Sequence, residues 1–273
     1  MKPSAFDLVR PATLADASRI LSESNGGARL VAGCQSLGPM LNLRLATPHT
    51  LIDLTSIPEL TQIVDDSESV TIGACVTTAF IEDGRLPGRG IDPLAHIARN
   101  IAYRAVRNRS TIGGSLCHAD PAADWVSTLC VFDAECLVYG NGKQRKIAAD
   151  QFITGAYENA LTAGDILQAI RIPRLSESAR CGYYKVCRKA GEFASALAAV
   201  IHDPTTKRLR AVIGATHGKP IVIPDARSLF GTDKSVDSAA VLSLLDRHNI
   251  TDVTARHQQV AALSRAYRQA VSP

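Results

Sequence analysis

The stretch T-I-G-G-S-L-C-H-A-D-P at Thr111–Pro121 decides the reading of this chain once it is set beside A-G-C-Q-S at Ala32–Ser36. Each puts small residues where a backbone has to run close to a ligand. No G-x-G-x-x-G follows a predicted strand, so neither loop is the fingerprint of a Rossmann site. Two such loops, far apart in sequence, imply one diphosphate held between two lobes. Main-chain N–H groups, hydroxyls and helix N-termini can answer that charge if no side chain blocks the approach. Gly33, Gly113 and Gly114 would clear the way, Ser36, Thr111 and Ser115 would donate hydroxyls, and Gln35 would donate or accept through its amide. Four hydrogen bonds to charged oxygens contribute roughly 6–12 kcal/mol before ordering costs. Nanomolar binding needs about 12 kcal/mol, so burial of an aromatic ring elsewhere must supply the remainder.

Composition narrows the class. The chain has 273 residues, of which 46% are hydrophobic, with a mean hydropathy of +0.04, as a folded soluble protein with room for two domains requires. Lysine plus arginine exceed aspartate plus glutamate by 30 to 26, a mild and scattered surplus. With 5% aromatic residues and no interleaved basic motif, nucleic-acid binding is not expected. The longest apolar run, Ala196–Ile201, is too short to span a bilayer, and M-K-P-S-A-F lacks a secretory apolar stretch. A cytoplasmic protein without membrane insertion is expected. Seven cysteines without a C-x-x-C pair argue against a disulfide framework and against a metal site in this chain. Cys75, Cys130 and Cys136 read as small buried hydrophobes, and His118 beside Asp120 reads as a polar loop histidine.

Periodicity places the elements. Thr13 and Asp16 open a helix over 14–24 with apolar residues at helical spacing. Strands are predicted over 29–32 and 50–54, with an apolar turn at 40–45 between them. A β-rich stretch follows, with strands over 69–75, 135–139, 145–148 and 166–172 and helices over 93–102 and 122–132. Asn141-Gly142 suits a tight hairpin turn. After a polar linker at 173–180, strands are predicted over 182–188, 196–202 and 209–214, then helices over 238–245 and 253–271.

Three blocks, V-A-G-C-Q-S-L-G-P-M-L-N-L-R-L (31–45), V-R-N-R-S-T-I-G-G-S-L-C-H-A-D-P-A-A-D (106–124) and Y-Y-K-V-C-R-K-A-G-E-F-A (183–194), resemble the FAD-binding medium subunit of molybdenum hydroxylases. These are the relatives of carbon monoxide dehydrogenase and xanthine dehydrogenase. The resemblance implies an α+β chain: a vanillyl-alcohol-oxidase-type two-lobed FAD-binding domain over 1–175, with lobes 1–57 and 58–175, then a smaller α/β C-terminal domain over 176–273. By motif, Ala32, Gly33, Cys34, Gln35, Ser36 and Leu37 would line the pyrophosphate and ribityl region from the first lobe. Thr111, Gly113, Gly114 and Ser115 would do so from the second. Asp124 would accept from the adenosine ribose, and Leu167 and Lys185 would lie near the isoalloxazine ring or the neighbouring adenine part. An ammonium there would favour an anionic reduced flavin. The alternative for Lys185 is a surface lysine packing its stem.

The chain departs from the family pattern at Cys34 and Ser110, where glycine is common, at Gly38, where leucine is, and at Cys117, where alanine is. Cys34 leaves the backbone contact open if its φ is negative. G-C-Q-S-L-G has the outer spacing of a P-loop, but Pro39-Met40 replaces the residues that would reach phosphate and magnesium.

The resemblance implies an electron-transfer subunit. Its partners would be a large molybdenum-cofactor subunit and a small subunit with [2Fe-2S] clusters, in a dimer of heterotrimers, and it would pass electrons to an external acceptor. The alternative is a freestanding FAD-dependent oxidoreductase of the same fold with its own small organic substrate.

Overall fold

A computed structural model describes residues 2–231 and 235–272. The first lobe is a parallel sheet in the spatial order Asp7–Val9, Thr50–Asp53, Ala28–Val31. Parallel neighbours need crossovers. The helix Leu14–Glu23 supplies one, turning Leu14 and Ala17 into a core shared with Ala28 and Ile52. Thr13 caps it, its Oγ1 accepting from the Asp16 N–H at 3.1 Å. The next crossover corrects the sequence reading: Leu37–Asn42 is a short helix where an apolar turn over 40–45 was expected. Pro39 sits in its first turn, where a missing N–H costs nothing.

The second lobe is an antiparallel sheet in the order Ile63–Asp65, Ser69–Gly73, Ile166–Pro173, Glu135–Gly140, Lys143–Ala148. Asn141 and Gly142 carry φ of 51° and 73°, as the predicted hairpin turn demands. The helices Pro93–Arg99, Ile112–His118 and Asp124–Val131 share one apolar core with this sheet. Strands Asp7–Val9 and Ile63–Asp65 and helices Thr78–Glu82 and Arg104–Arg107 escape the sequence reading because three to five residues hold no measurable period.

The third sheet is antiparallel, in the order Arg180–Val186, Ala196–Asp203, Arg208–Gly214, Ile221–Ile223. Its central strand is buried on both faces, which explains the unbroken apolar run 196–201. Leu197, Ala199 and Ile201 join Val126 and Leu129 in the core of the second lobe. Ala196, Ala198 and Val200 face the other way, toward Ala262, Leu263 and Ala266 of the helix Val253–Val271.

The helix Asp124–Val131, every residue of which is buried, is thereby held between two sheets. Its C-terminal end is gripped by arginines of the third sheet. Arg210 donates to the Cys130 carbonyl at 3.1 and 3.2 Å and pairs with Asp133 at 2.7 Å, and Arg208 reaches the Val131 carbonyl. Cations at a helix C-terminus meet its unsatisfied carbonyls and the negative end of its dipole. Among the described residues, no helix is long and apolar enough to cross a membrane.

Candidate functional site

The strand Ala28–Val31 ends where the Val31 carbonyl accepts from the Leu54 N–H at 2.9 Å, and the chain then turns through Ala32–Ser36 into the helix Leu37–Asn42. Cys34 lies at φ +61°, in the left-handed region, and not at the negative φ under which its side chain was expected to be harmless. Gln35 Nε2 donates back to the Gly33 carbonyl at 2.9 Å, which pins the turn. Ser36 begins the helix without a side-chain cap, so its hydroxyl is not spent on the backbone. Among the described residues, the N–H groups of Gly33 through Leu37 donate to no protein acceptor. A run of unspent N–H groups around a left-handed residue is the backbone form of an anion-binding nest.

The second motif is not the loop its glycines imply. Ile112–His118 is a helix, and Thr111 is its N-cap, with Oγ1 accepting from the Gly114 N–H at 3.0 Å. The Ile112 N–H donates to the Val76 carbonyl at 3.2 Å, that of Gly113 to the Ala74 carbonyl at 3.0 Å, and that of Ser115 to the Thr111 carbonyl at 3.1 Å. The main-chain donors from Ile112 to Ser115 are therefore engaged within the protein. The Thr111 N–H and the hydroxyl hydrogens of Thr111 and Ser115 remain as its means of reaching a diphosphate.

Two of the three glycines are required by protein contact. A Cβ on Gly33 would stand 2.0 Å from the Arg109 carbonyl oxygen and 2.8 Å from the Ser110 Cα. One on Gly113 would stand 2.4 Å from the Ala74 Cβ. The first contact joins the two lobes and sets the first loop directly beside the residues that lead into Thr111. Gly114 is exposed, and a Cβ there would meet the capping Thr111 Oγ1 at 2.7 Å.

The third block packs against the second lobe. Lys185 is not a surface lysine: its side chain is 5% exposed, and Nζ donates to the Asn100 carbonyl at 2.7 Å and pairs with Asp124 Oδ1 at 3.0 Å. Tyr183 donates its hydroxyl to the same Asp124 oxygen. Burial pushes the Asp124 carboxyl up, opposed by the Lys185 charge and the Tyr183 hydrogen bond. Burial and the Asp124 charge push the Tyr183 phenol far up, so it stays protonated and keeps donating. Oδ2 of Asp124 receives a single 3.3 Å contact, from Lys185, and retains lone pairs for a further donor.

The remaining residues divide. Leu167 is 3% exposed on the strand Ile166–Pro173, inside the core of the second lobe. Its neighbour Gln168 accepts from the Ala74 N–H at 2.9 Å, and Ala74 in turn accepts from Gly113, so Leu167 is tied to the second motif through backbone. Cys75, Cys130 and Cys136 are buried as expected. Burial raises the Cys34 thiol, with Arg109 opposing it. His118 ends the helix Ile112–His118 and packs its ring on Tyr157 at 5.3 Å. Two open hollows elsewhere, one lined by Thr13, Tyr139 and Gln168 and the other by Ser67, Arg174 and Asp203, include no residue of the two motifs.

Sequence reasoning left out Tyr183, Asn100 and the exposed ring of Phe193, which is 62% accessible. A signal for the tyrosine existed. Residues two apart on a strand share a face, so Tyr183 had to point where Lys185 does.

Residues 4–175 match the family model described as the FAD binding domain in molybdopterin dehydrogenase. The chain is 32% identical to the nicotine 6-hydroxylase medium subunit of Paenarthrobacter nicotinovorans over 247 residues, 89% of this chain and 86% of that one. It is 34% identical to the carbon monoxide dehydrogenase medium chain of Afipia carboxidovorans over 250 residues, 89% of this chain and 87% of that one. Among solved structures, carbon monoxide dehydrogenase from Hydrogenophaga pseudoflava superposes with a TM-score of 0.89 at 27% identity, covering 99% of this chain and 98% of the other.

Proposed function

The chain belongs to the FAD-binding family of the molybdopterin dehydrogenases, and from that premise we propose that it takes electrons from iron–sulfur clusters of a partner subunit and passes them to an external acceptor. It is a flavoprotein medium subunit of the molybdenum-hydroxylase type, an oxidoreductase component. Bound FAD supplies a centre that exchanges electrons singly or in pairs.

The observation that carries the reading is the run of unspent N–H groups from Gly33 to Leu37, set by Gly33 against Arg109 at the seam between the lobes. Those donors would hold the diphosphate, with Ala32, Cys34, Gln35 and Ser36 shaping the turn and Leu37 opening the helix behind it. Thr111, Gly113, Gly114 and Ser115 would close the seam from the second lobe. Asp124 would receive the adenosine ribose at Oδ2. Lys185 and the strand carrying Leu167 would bound the ring system. The Lys185 ammonium favours negative charge nearby, while its bond to Asn100 keeps it in place.

In this reading residues 1–175 form the FAD-binding domain and 176–273 the C-terminal domain. The chain works in the cytoplasm within a dimer of heterotrimers, beside a large molybdenum-cofactor subunit and a small [2Fe-2S] subunit. Native copurification tests it: partners bearing molybdenum and iron, with one flavin per copy of this chain, are the expected result. A yellow monomer active on an organic substrate would establish the freestanding enzyme instead.

A further inference from the structure

We infer that Tyr183 is a positioning residue for the adenosine ribose of FAD, acting through the Asp124 carboxylate; this rests on the reading that Asp124 meets that ribose. Tyr183 lies outside the segment 4–175 that matches the FAD-binding family model, on the first strand of the third sheet. It is 5% exposed, and its backbone is fixed from behind, its N–H donating to Gln269 Oε1 at 2.9 Å. Its ring meets His96 edge-on at 6.2 Å, so neither end of the side chain is free to swing.

Asp124 is the first residue of its helix, next to the N-cap Ala123, whose side chain makes no capping bond. Two side chains of the third sheet hold its carboxylate. Lys185 approaches both oxygens, at 3.0 and 3.3 Å, whereas Tyr183 engages Oδ1. With Tyr183 on Oδ1 and Lys185 nearer to Oδ1 than to Oδ2, Oδ2 is the less engaged oxygen and the one left for a further donor, which a ribose diol can be. Without the phenol the carboxylate is free to rotate and be shared evenly by the ammonium. The Tyr183 hydroxyl thus acts on the nucleotide only through the Asp124 carboxylate, and its effect is confined to the adenosine half of FAD.

Titration of the flavin-free full chain with FAD and with FMN, which lacks the adenosine, separates positioning from general support. Tyr183→Phe is expected to weaken FAD about tenfold and to leave FMN affinity unchanged. Equal losses for both flavins, or no loss for FAD, overturn the inference. Loss of FAD affinity in Asp124→Asn without loss in Tyr183→Phe refutes the tyrosine's role and leaves the ribose reading standing. No FAD loss in Asp124→Asn removes the ribose reading itself. Thermal unfolding of flavin-free Tyr183→Phe should show a folded chain; an unfolded one would make the hydroxyl a structural group and overturn the inference as well.

Discussion

Gly33 stands against the Arg109 carbonyl so closely that a methyl on it would lie 2.0 Å from that oxygen. Both sides of this contact are backbone, and a rotamer change cannot relieve it. Gly33→Ala must therefore move one lobe away from the other. The expected cost is about 3 kcal/mol, with loss of flavin. Absorbance of the purified variant near the flavin bands, beside its unfolding midpoint, checks both; retained FAD would show that the lobe contact does not shape the site.

Cys34 at φ +61° carries a side chain where glycine has no penalty. Cys34→Gly should gain about 0.5–1 kcal/mol and keep its flavin, because the N–H groups around it stay in place. Cys34→Val should lose stability, a β-branched residue being poorly tolerated there. Urea denaturation of the two variants decides it, and an order opposite to this one would mean that the thiol has a stabilising contact of its own.

Gly114→Arg puts a Cβ 2.7 Å from the Thr111 Oγ1 that caps the helix Ile112–His118. Cap loss costs about 1 kcal/mol, which leaves the fold intact, while the added side chain fills the exposed approach at the helix start. FAD retention should vanish with near-normal circular dichroism. Normal flavin content would remove this helix from the site.

Arg210 is buried and bonded to the Cys130 carbonyl and Asp133. Arg210→Met strips the Cys130 carbonyl of its charged donor, leaving it only the backbone N–H of Asp133 at 3.3 Å and that of Phe132, and removes the ion pair with Asp133. A loss of about 2–3 kcal/mol is expected, measurable by urea unfolding. A change below about 0.5 kcal/mol would show that Arg208 carries the cap.

Asp165 is one of the carboxylates held low in the folded chain. Burial acts to raise its carboxyl, but hydrogen bonds from Arg145 at 2.7 Å and from Thr162 outweigh it and hold it at about 2. A depressed folded value means stability fully present above the ordinary carboxylate range and lost as pH falls through about 2. Asp165→Asn should flatten the fall in unfolding free energy between about pH 4 and pH 2 by roughly 2 kcal/mol. Identical pH profiles for variant and parent would assign that fall to other carboxylates.

The elements legible in sequence were those with a period or a punctuating pair: the helix begun by Thr13, the Asn141-Gly142 hairpin, the apolar run of the central strand of the third sheet. The helix Ile112–His118 was not, since Gly113 and Gly114 argue against a helix when propensity is weighed without context. Context reverses it: Gly113 is there so that the helix can touch Ala74, and Thr111 supplies the cap.

The sequence by itself determined the chemical class of the ligand, because small residues, hydroxyls and an amide at two fixed places are properties of residue types. It also placed Asp124 and Lys185 among the candidates. The tertiary structure decided that Gly33 meets Arg109, that the first loop keeps its N–H groups while the second motif spends those of Ile112 to Ser115, and that Asp124 is shared between Lys185 and Tyr183. Those facts are distances between residues far apart along the chain, and folding sets such distances through packing that no local stretch encodes.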